Sequence, residues 1–367
     1  MRKVVIVAPN LTAPSEEASV MRQSLPALGR MAELGEVQKV PALGPIETPE
    51  AAYLGMRPEE AQIPQGPLTV AALGADPPER STHFHLSLMG FQDGEVRQSS
   101  LVPSPEELRT ILDHVPRLNT KTLTFVEGED RDHGLVWEGL GDMRTIPPDE
   151  ADGKPIKTVL PEGDAESILR RYIDDSTNLL GELELNEKRL DEGLPPLNLL
   201  WPWGEGVRLH VPNLALRRGE PSLVVSDSMR MQGLVRLAGY RHVDRALFRR
   251  GMNFSLSGAA GKAKAETSTI IVLSAPAQLR NDEKMEELEW FARQMTDELL
   301  SPLWDLSQKE PLRLLLVAPA LGHTGLSLRF ESGKSHGNRF PFDERALEER
   351  EVDTREAWKQ IDETLSS

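Results

Sequence analysis

Four short apolar runs constrain this chain more than any other feature: residues 4–8 (VVIVA), 223–226 (LVVS), 269–274 (TIIVLS) and 312–318 (LRLLLVA). A strand with one wet face alternates apolar and polar residues. These runs do not alternate, so each needs cover on both faces, as parallel strands flanked by helices have. Helical patterns lie between them. The segment "SDSMRMQGLVRLAGY" follows the second run, with Ser226 or Asp227 placed to cap it. The segment "NDEKMEELEWFARQMTDELL" puts Met285, Leu288, Phe291, Ala292, Met295 and Leu299 at three- and four-residue steps behind an acidic start. Strand and helix in alternation predict an α/β fold with a mainly parallel sheet.

The stretch from 63 to 161 reads differently. A strand-like "THFHLSLMGF" precedes a helical "SPEELRTILDHV", and strand-like "KTLTFVEG" and "HGLVWEG" follow. That order predicts a small α+β domain inserted into the larger core. The "PPD" at 147–149 and the "DGKPIKTVLPEGD" segment read as the way back, which gives boundaries of 1–62 and 162–367 for the core and 63–161 for the insertion. The tail after Phe342 reads as a solvated terminal helix docked by Leu347, Val352, Trp358 and Ile361.

Composition narrows the function. The chain has 367 residues, 58 acidic against 42 basic, and a net charge of −16. A broad nucleic-acid or anionic-membrane surface would need the opposite sign. There is no cysteine, which excludes disulfides, thiolate metal sites and thiol nucleophiles. The opening "MRKVVIVAPN" has too short an apolar run for a signal peptide and suits a first buried strand. The expectation is a cytoplasmic protein with no membrane span.

One stretch is particular enough to identify relatives. "NEKRLDEGLPPLNLLWPWGEG" at 186–206 combines Asn186, Glu187 and Arg189 with Gly193-Leu194-Pro195-Pro196, Asn198 and Trp201-Pro202-Trp203-Gly204. "LPALGRMAEL", "AAYLGMRPEE", "QGPLTVAALG", "DGKPIKTVLP" and "MQGLVRLAGY" fall around it in order. Together they resemble the archaeal-type cofactor-independent phosphoglycerate mutases of the alkaline-phosphatase-like metalloenzyme superfamily. The resemblance implies an alkaline-phosphatase-like core, a glycolysis-related mutase reaction, a phosphate-accepting serine and two divalent metals held by Asp and His.

The chain departs from that pattern where the chemistry sits. The first strand ends Ala8-Pro9-Asn10 in place of Asp-Gly, and the position of the serine is Ile46, with Glu47 and Thr48 beside it. "SAPAQLRND" and "APALGHTG" stand in the metal-binding segments. Alanine, proline and isoleucine offer neither a metal ligand nor a nucleophile. The sequence therefore predicts a catalytically degenerate homologue with no catalytic residues and no cofactor. It would bind a small phosphorylated or carboxylate ligand, a protein partner or a second copy of the chain. The alternative is an active mutase or related phosphotransferase using Mn or Zn at a non-standard site.

Ligand-binding candidates are Arg236 and Lys262, which stand where the family keeps basic residues, with His85, Asn186 and Arg189. His323 and His336 are weak remnant metal candidates, each otherwise an ordinary loop histidine. His83 and His85 would share one strand face, more often as a satisfied pair than as a metal site. His242, Arg245, Arg249 and Arg250 form the most basic local patch, which a solvated helix face also explains. Trp201 and Trp203 are expected to wedge a loop against the core, with Trp203 largely buried.

Overall fold

The computed structural model describes residues 1–12, 26–43, 48–60, 62–98, 103–129, 132–208, 211–243, 249–250, 253–320, 322–336, 341–343, 345–348 and 352–366. Contacts divide the chain into two compact units, Met1–Gln62 with Val211–Ser367, and Ile63–His210.

The first unit holds a seven-stranded sheet. Its order is Arg241–His242, Leu223–Ser226, Ser268–Val272, Arg2–Val7, Leu312–Ala318, Gly325–Glu331, Glu36–Val40. The first five strands run parallel, and Gly325–Glu331 runs against both its neighbours. All four apolar runs are strands here. Val4–Val7, Val225, Ile270, Ile271 and Leu314–Val317 are fully buried, as two-sided cover requires. Helices supply that cover. Ala27, Leu28 and Met31 of the helix Pro26–Leu34 join one core with Leu256, Ala259, Leu288, Phe291 and Met295.

Local details differ from the sequence reading. Ser228, rather than Ser226 or Asp227, caps the helix Met229–Leu237, its hydroxyl accepting from the Met231 amide at 3.3 Å. The Met285–Gln294 helix continues through a π-helical stretch, Met295–Leu300, into Ser301–Ser307. The tail forms two short helices, Arg345–Glu348 and Ala357–Ser366, in place of one. Ala357, Ile361 and Leu365 are buried.

The second unit is built on an antiparallel sheet. Thr82–Gln92 is its centre, pairing with Asp132–Trp137, Glu95–Arg97 and Leu199–Val207, and Leu123–Glu129 pairs with Asp132–Trp137. Phe84, Leu86 and Leu88 alternate into one core. The other face, with His83 and His85, is buried too, because the helix Gln65–Ala72 carries Thr69 and Gln65 against it. "SPEELRTILDHV" forms the helix Pro105–Leu112 behind a Ser104 capping box.

The unit that starts at Ile63 runs on to His210, past the expected return at 161. The helix Glu166–Gly181 contributes Leu169, Tyr172 and Leu180 to the same core as Phe84. The Trp-Pro-Trp-Gly segment lies within the strand Leu199–Val207 instead of forming a loop. Among the described residues, no helix is long and apolar enough to cross a membrane.

Candidate functional site

In open α/β sheets, ligands bind at the carboxyl ends of the strands. In the first unit that edge follows Val7, Ser226, Val272 and Ala318. Asn10 sits just past the first strand with φ 58°, its amide donating to the Pro319 carbonyl at 2.9 Å. Arg280 reaches back from the helix Ala275–Asn281 and donates from Nε to the Asn10 carbonyl at 2.7 Å and from Nη2 to that of Leu11 at 3.3 Å. Ser274 donates to Asp227 Oδ1 at 2.7 Å. Arg230, on the first turn of its helix, pairs with Glu50 at 3.1 Å. Asn10 Oδ1 and Thr12 Oγ1 are buried and have no hydrogen-bond partner among the described residues. Buried polar atoms in that state are rare and call for an explanation.

The metal pair implied by the resemblance does not fit this set. Asn10 supplies an amide and Ser274 a hydroxyl, and Asp227 already accepts from Ser274. Two hard divalent cations need several carboxylate or imidazole ligands converging. Among the described residues, no three His, Asp or Glu side chains come together in that way. His323 is half-buried, its Nδ1 3.3 Å from the Thr324 carbonyl, and His336 is exposed. Ile46 and Glu47 lie outside the described residues. Thr48 is buried at the N-terminal boundary of the helix Pro49–Tyr53.

Two basic candidates, Arg236 and Lys262, lie toward the amino-end edge of the sheet. Arg236 is in the last turn of Met229–Leu237, with its Nη2 3.4 Å from His242 Nε2, and His242 pairs with Val224 in the sheet. The helix has run back from the carboxyl end of Leu223–Ser226 toward the amino end. Lys262 is likewise in the last turn of the helix leading into Ser268–Val272. It lies near Glu266, whose carboxyl group stays below its ordinary range through the Arg241 hydrogen bond, with Arg241, Lys262 and Arg2 adding. Both residues are exposed. Arg245 and the side chains of Arg249 and Arg250 lie outside the described residues.

In the second unit, His85 is part of a hydrogen-bond chain. Gln65 Nε2 donates to Thr69 Oγ1 at 3.1 Å, Thr69 meets His85 Nδ1 at 2.7 Å, and His85 Nε2 meets Asp132 Oδ1 at 3.1 Å. Thr69 donating to Nδ1 and Nε2–H donating to Asp132 satisfy both ring nitrogens. Thr69 is fully buried, so it offers no nucleophile to an outside substrate. The neighbouring pair also lacks a nucleophile's geometry. Ser81 gives its proton to the Pro78 carbonyl at 2.5 Å, so His83 Nε2 must donate to Ser81 at 2.9 Å. His83 Nδ1 is then a buried acceptor with no partner among the described residues. Burial, with Arg208 adding, lowers the His83 pKa to about 4.

Asn186 and Arg189 are structural. Asn186 is buried, donates to the Leu180 and Leu197 carbonyls at 2.8 and 3.3 Å and accepts from the Leu197 amide at 2.7 Å. Arg189 is buried, donating to the Pro195 carbonyl at 2.9 Å and to Glu107 at 2.6 Å. Between them, Gly193 turns the chain at φ 72° and Leu194 N closes on the Arg189 carbonyl at 2.8 Å. Trp201, not Trp203, is the fully buried tryptophan. Its indole N–H donates to the Ile146 carbonyl at 2.8 Å. Trp203 is half-buried, donates to Ser87 at 2.9 Å and packs on the His85 ring.

Sequence reasoning did not single out Arg280, Arg230 or the Asp227–Ser274 pair. The signal was available, because each follows one of the apolar runs at its carboxyl end.

Residues 30–186 match the family described as 2,3-bisphosphoglycerate-independent phosphoglycerate mutase. Proteins carrying that name include one from Methanothrix thermoacetophila, 25% identical over 226 residues, spanning 61% of this chain and 57% of that protein. Another, from Methanothermobacter thermautotrophicus, is 24% identical over 265 residues, spanning 69% and 66%. The chain thus covers less than two thirds of these relatives' length. Among solved structures, a Pyrococcus horikoshii protein aligns with a TM-score of 0.75 at 14% identity, over 99% of this chain and 98% of that one. The cofactor-independent phosphoglycerate mutase from Thermoplasma acidophilum aligns over all of both chains, with a TM-score of 0.67 and 16% identity. The matched segment, the motifs at 186–206 and the shared fold make this chain similar to the archaeal-type cofactor-independent phosphoglycerate mutases.

Proposed function

We propose that this chain is a phosphoglycerate mutase-like protein without mutase activity. It binds a small phosphorylated or carboxylate ligand at the carboxyl edge of the parallel sheet in its first unit. The reading rests on one observation. At that edge the chain offers an amide, hydroxyls and the guanidinium groups of Arg230 and Arg280 where the family's mechanism calls for converging carboxylates and imidazoles. Arg280 already donates to the Asn10 and Leu11 carbonyls and Arg230 pairs with Glu50, so what the two bring to an anionic ligand is positive charge at that edge. The unpartnered Asn10 and Thr12 oxygens add polar capacity that a hydroxylated ligand would satisfy.

A coupled assay for interconversion of 3- and 2-phosphoglycerate with Mn²⁺ supplied tests the first half. The expected result is no turnover above a heat-killed control, with an active family enzyme alongside. Ile46→Ser should not restore activity, because a hydroxyl without metals to activate it returns little. Turnover that survives repurification would establish the active-mutase reading, with Mn or Zn as its metal. Thermal shift with 3-phosphoglycerate tests the second half: ligand binding raises the melting temperature, and Arg280→Ala should remove the rise. No rise in the unsubstituted protein would refute ligand binding.

A further inference from the structure

The second unit carries a groove of about 460 Å³ that none of the readings above uses. Its size lies within the range of small-molecule sites, roughly 300–1,000 Å³. One wall is the helix Glu166–Gly181, and the other is the turn and strand start that carry Leu118 and Leu123. Ile168 and Tyr172, four residues apart on the helix, give the groove an apolar side with those two leucines. Arg171 and Asp175, also four apart, line it with charge and pair at 3.4 Å through Arg171 Nε.

Two features point to a ligand of definite chemistry. Asp175 is the partner of Arg171 among the described residues, and the contact uses Nε. Both terminal guanidinium nitrogens are therefore uncommitted on a side chain that is 83% exposed. This is the fork that binds a carboxylate in bidentate fashion. The second feature is the apolar lining. Tyr172 is 3% exposed with its hydroxyl closed off from solvent, and Ile168, Leu118 and Leu123 line the groove beside it.

We propose that this groove binds a small organic carboxylate with an apolar body. The carboxylate meets Arg171, and the apolar body lies on Ile168, Leu118 and Leu123. A bare phosphate lacks the apolar body, and a neutral hydrocarbon leaves Arg171 unused. The site lies in the second unit and is independent of the ligand reading for the first.

The test is fluorine NMR of the full chain with para-fluorobenzoate as the probe and para-fluorobenzamide as its uncharged counterpart. The benzoate should bind saturably, and the benzamide more weakly. Arg171→Ala should weaken benzoate binding about five- to tenfold, since an exposed charge-assisted contact is only moderately strong. Ile168→Trp should fill the groove and abolish binding. Ser167 also lines the groove and is exposed, so Ser167→Trp provides a second blocking variant that leaves the core untouched. Absence of saturable binding would overturn the proposal. So would equal binding of benzoate and benzamide, or benzoate binding unchanged in Ser167→Trp.

Discussion

Truncating Trp201 should cost the second unit much of its stability, and truncating Trp203 far less. Trp201 has no exposed surface and sits among Met89, Val96, Ala151, Val159 and Ile173. Replacing it with alanine removes the ring's burial and leaves a cavity, together about 3–5 kcal/mol. It also removes the donor to the Ile146 carbonyl, which adds about 1 kcal/mol if water does not replace it. Trp203 is half-buried, so its loss removes a smaller area and one hydrogen bond, about 1–3 kcal/mol. With a urea dependence of about 2 kcal/mol per molar, Trp201→Ala should lower the midpoint by about 1.5–3 M. Two units need not unfold in one step, so the readout must be local. Hydrogen exchange of the Thr82–Gln92 amides across a urea series supplies it. An unchanged midpoint for Trp201→Ala, or a larger loss for Trp203→Ala, would refute the assignment of Trp201 as the anchor.

Two other perturbations follow from this unit. His83 titrates at about 4 in the fold against an ordinary 6.5, so the unfolded chain binds the proton more tightly. Its contribution is present above about pH 6.5 and is lost as the pH falls toward 4, and His83→Gln should flatten the pH–stability profile in that window; an unchanged slope would remove the assignment. Gly66→Ala would gain about 1 kcal/mol of helix propensity, but the added Cβ would fall closer to the His83 carbonyl than real Cβ atoms come. A clash with backbone costs about 1–3 kcal/mol and wins, so the variant should melt lower than the parent; an equal or higher melting temperature would show that the helix can shift.

The core strands were legible because unbroken apolar runs have few alternatives. The strand Leu199–Val207 was not. Pro202 and Gly204 argue against a strand interior, yet among the described residues this strand pairs with Thr82–Gln92 alone, and an edge strand tolerates a residue with no N–H. Missing it put the domain return near 161 instead of 210. Where Arg236 and Lys262 stand was not legible for a different reason. Order along the chain does not say at which end of a sheet a helical residue stands. Met229–Leu237 has nine residues, a rise of roughly 13 Å, enough to carry Arg236 from one edge of the sheet toward the other. His85 was correctly read as a strand residue with a polar duty, but its partners Gln65, Thr69 and Asp132 come from two other elements and leave no pattern in one segment.

The retained motifs share one kind of duty. Gly55 has φ 75° and lies against Arg218, which is held by Asp362, Tyr240 and the carbonyls of Leu54 and Gly55. Gly239 has φ 74° and lies against the side chain of Asn213, which caps the helix Leu214–Arg218. Gly66, Asn186, Arg189 and Trp201 are likewise fixed by what they touch inside a unit. Their contacts hold each unit together, whatever reaction the chain performs. A match at those positions therefore speaks for a shared fold and says little about turnover. Activity has to be argued from the carboxyl edge of the sheet, where Pro9, Asn10, Ser274, Pro276 and Pro319 stand. A chain under selection for a two-metal phosphoryl transfer could not exchange carboxylates and imidazoles for these residues and keep the same mechanism, because an amide or a proline ring neither neutralises a divalent cation nor lowers the pKa of an attacking hydroxyl.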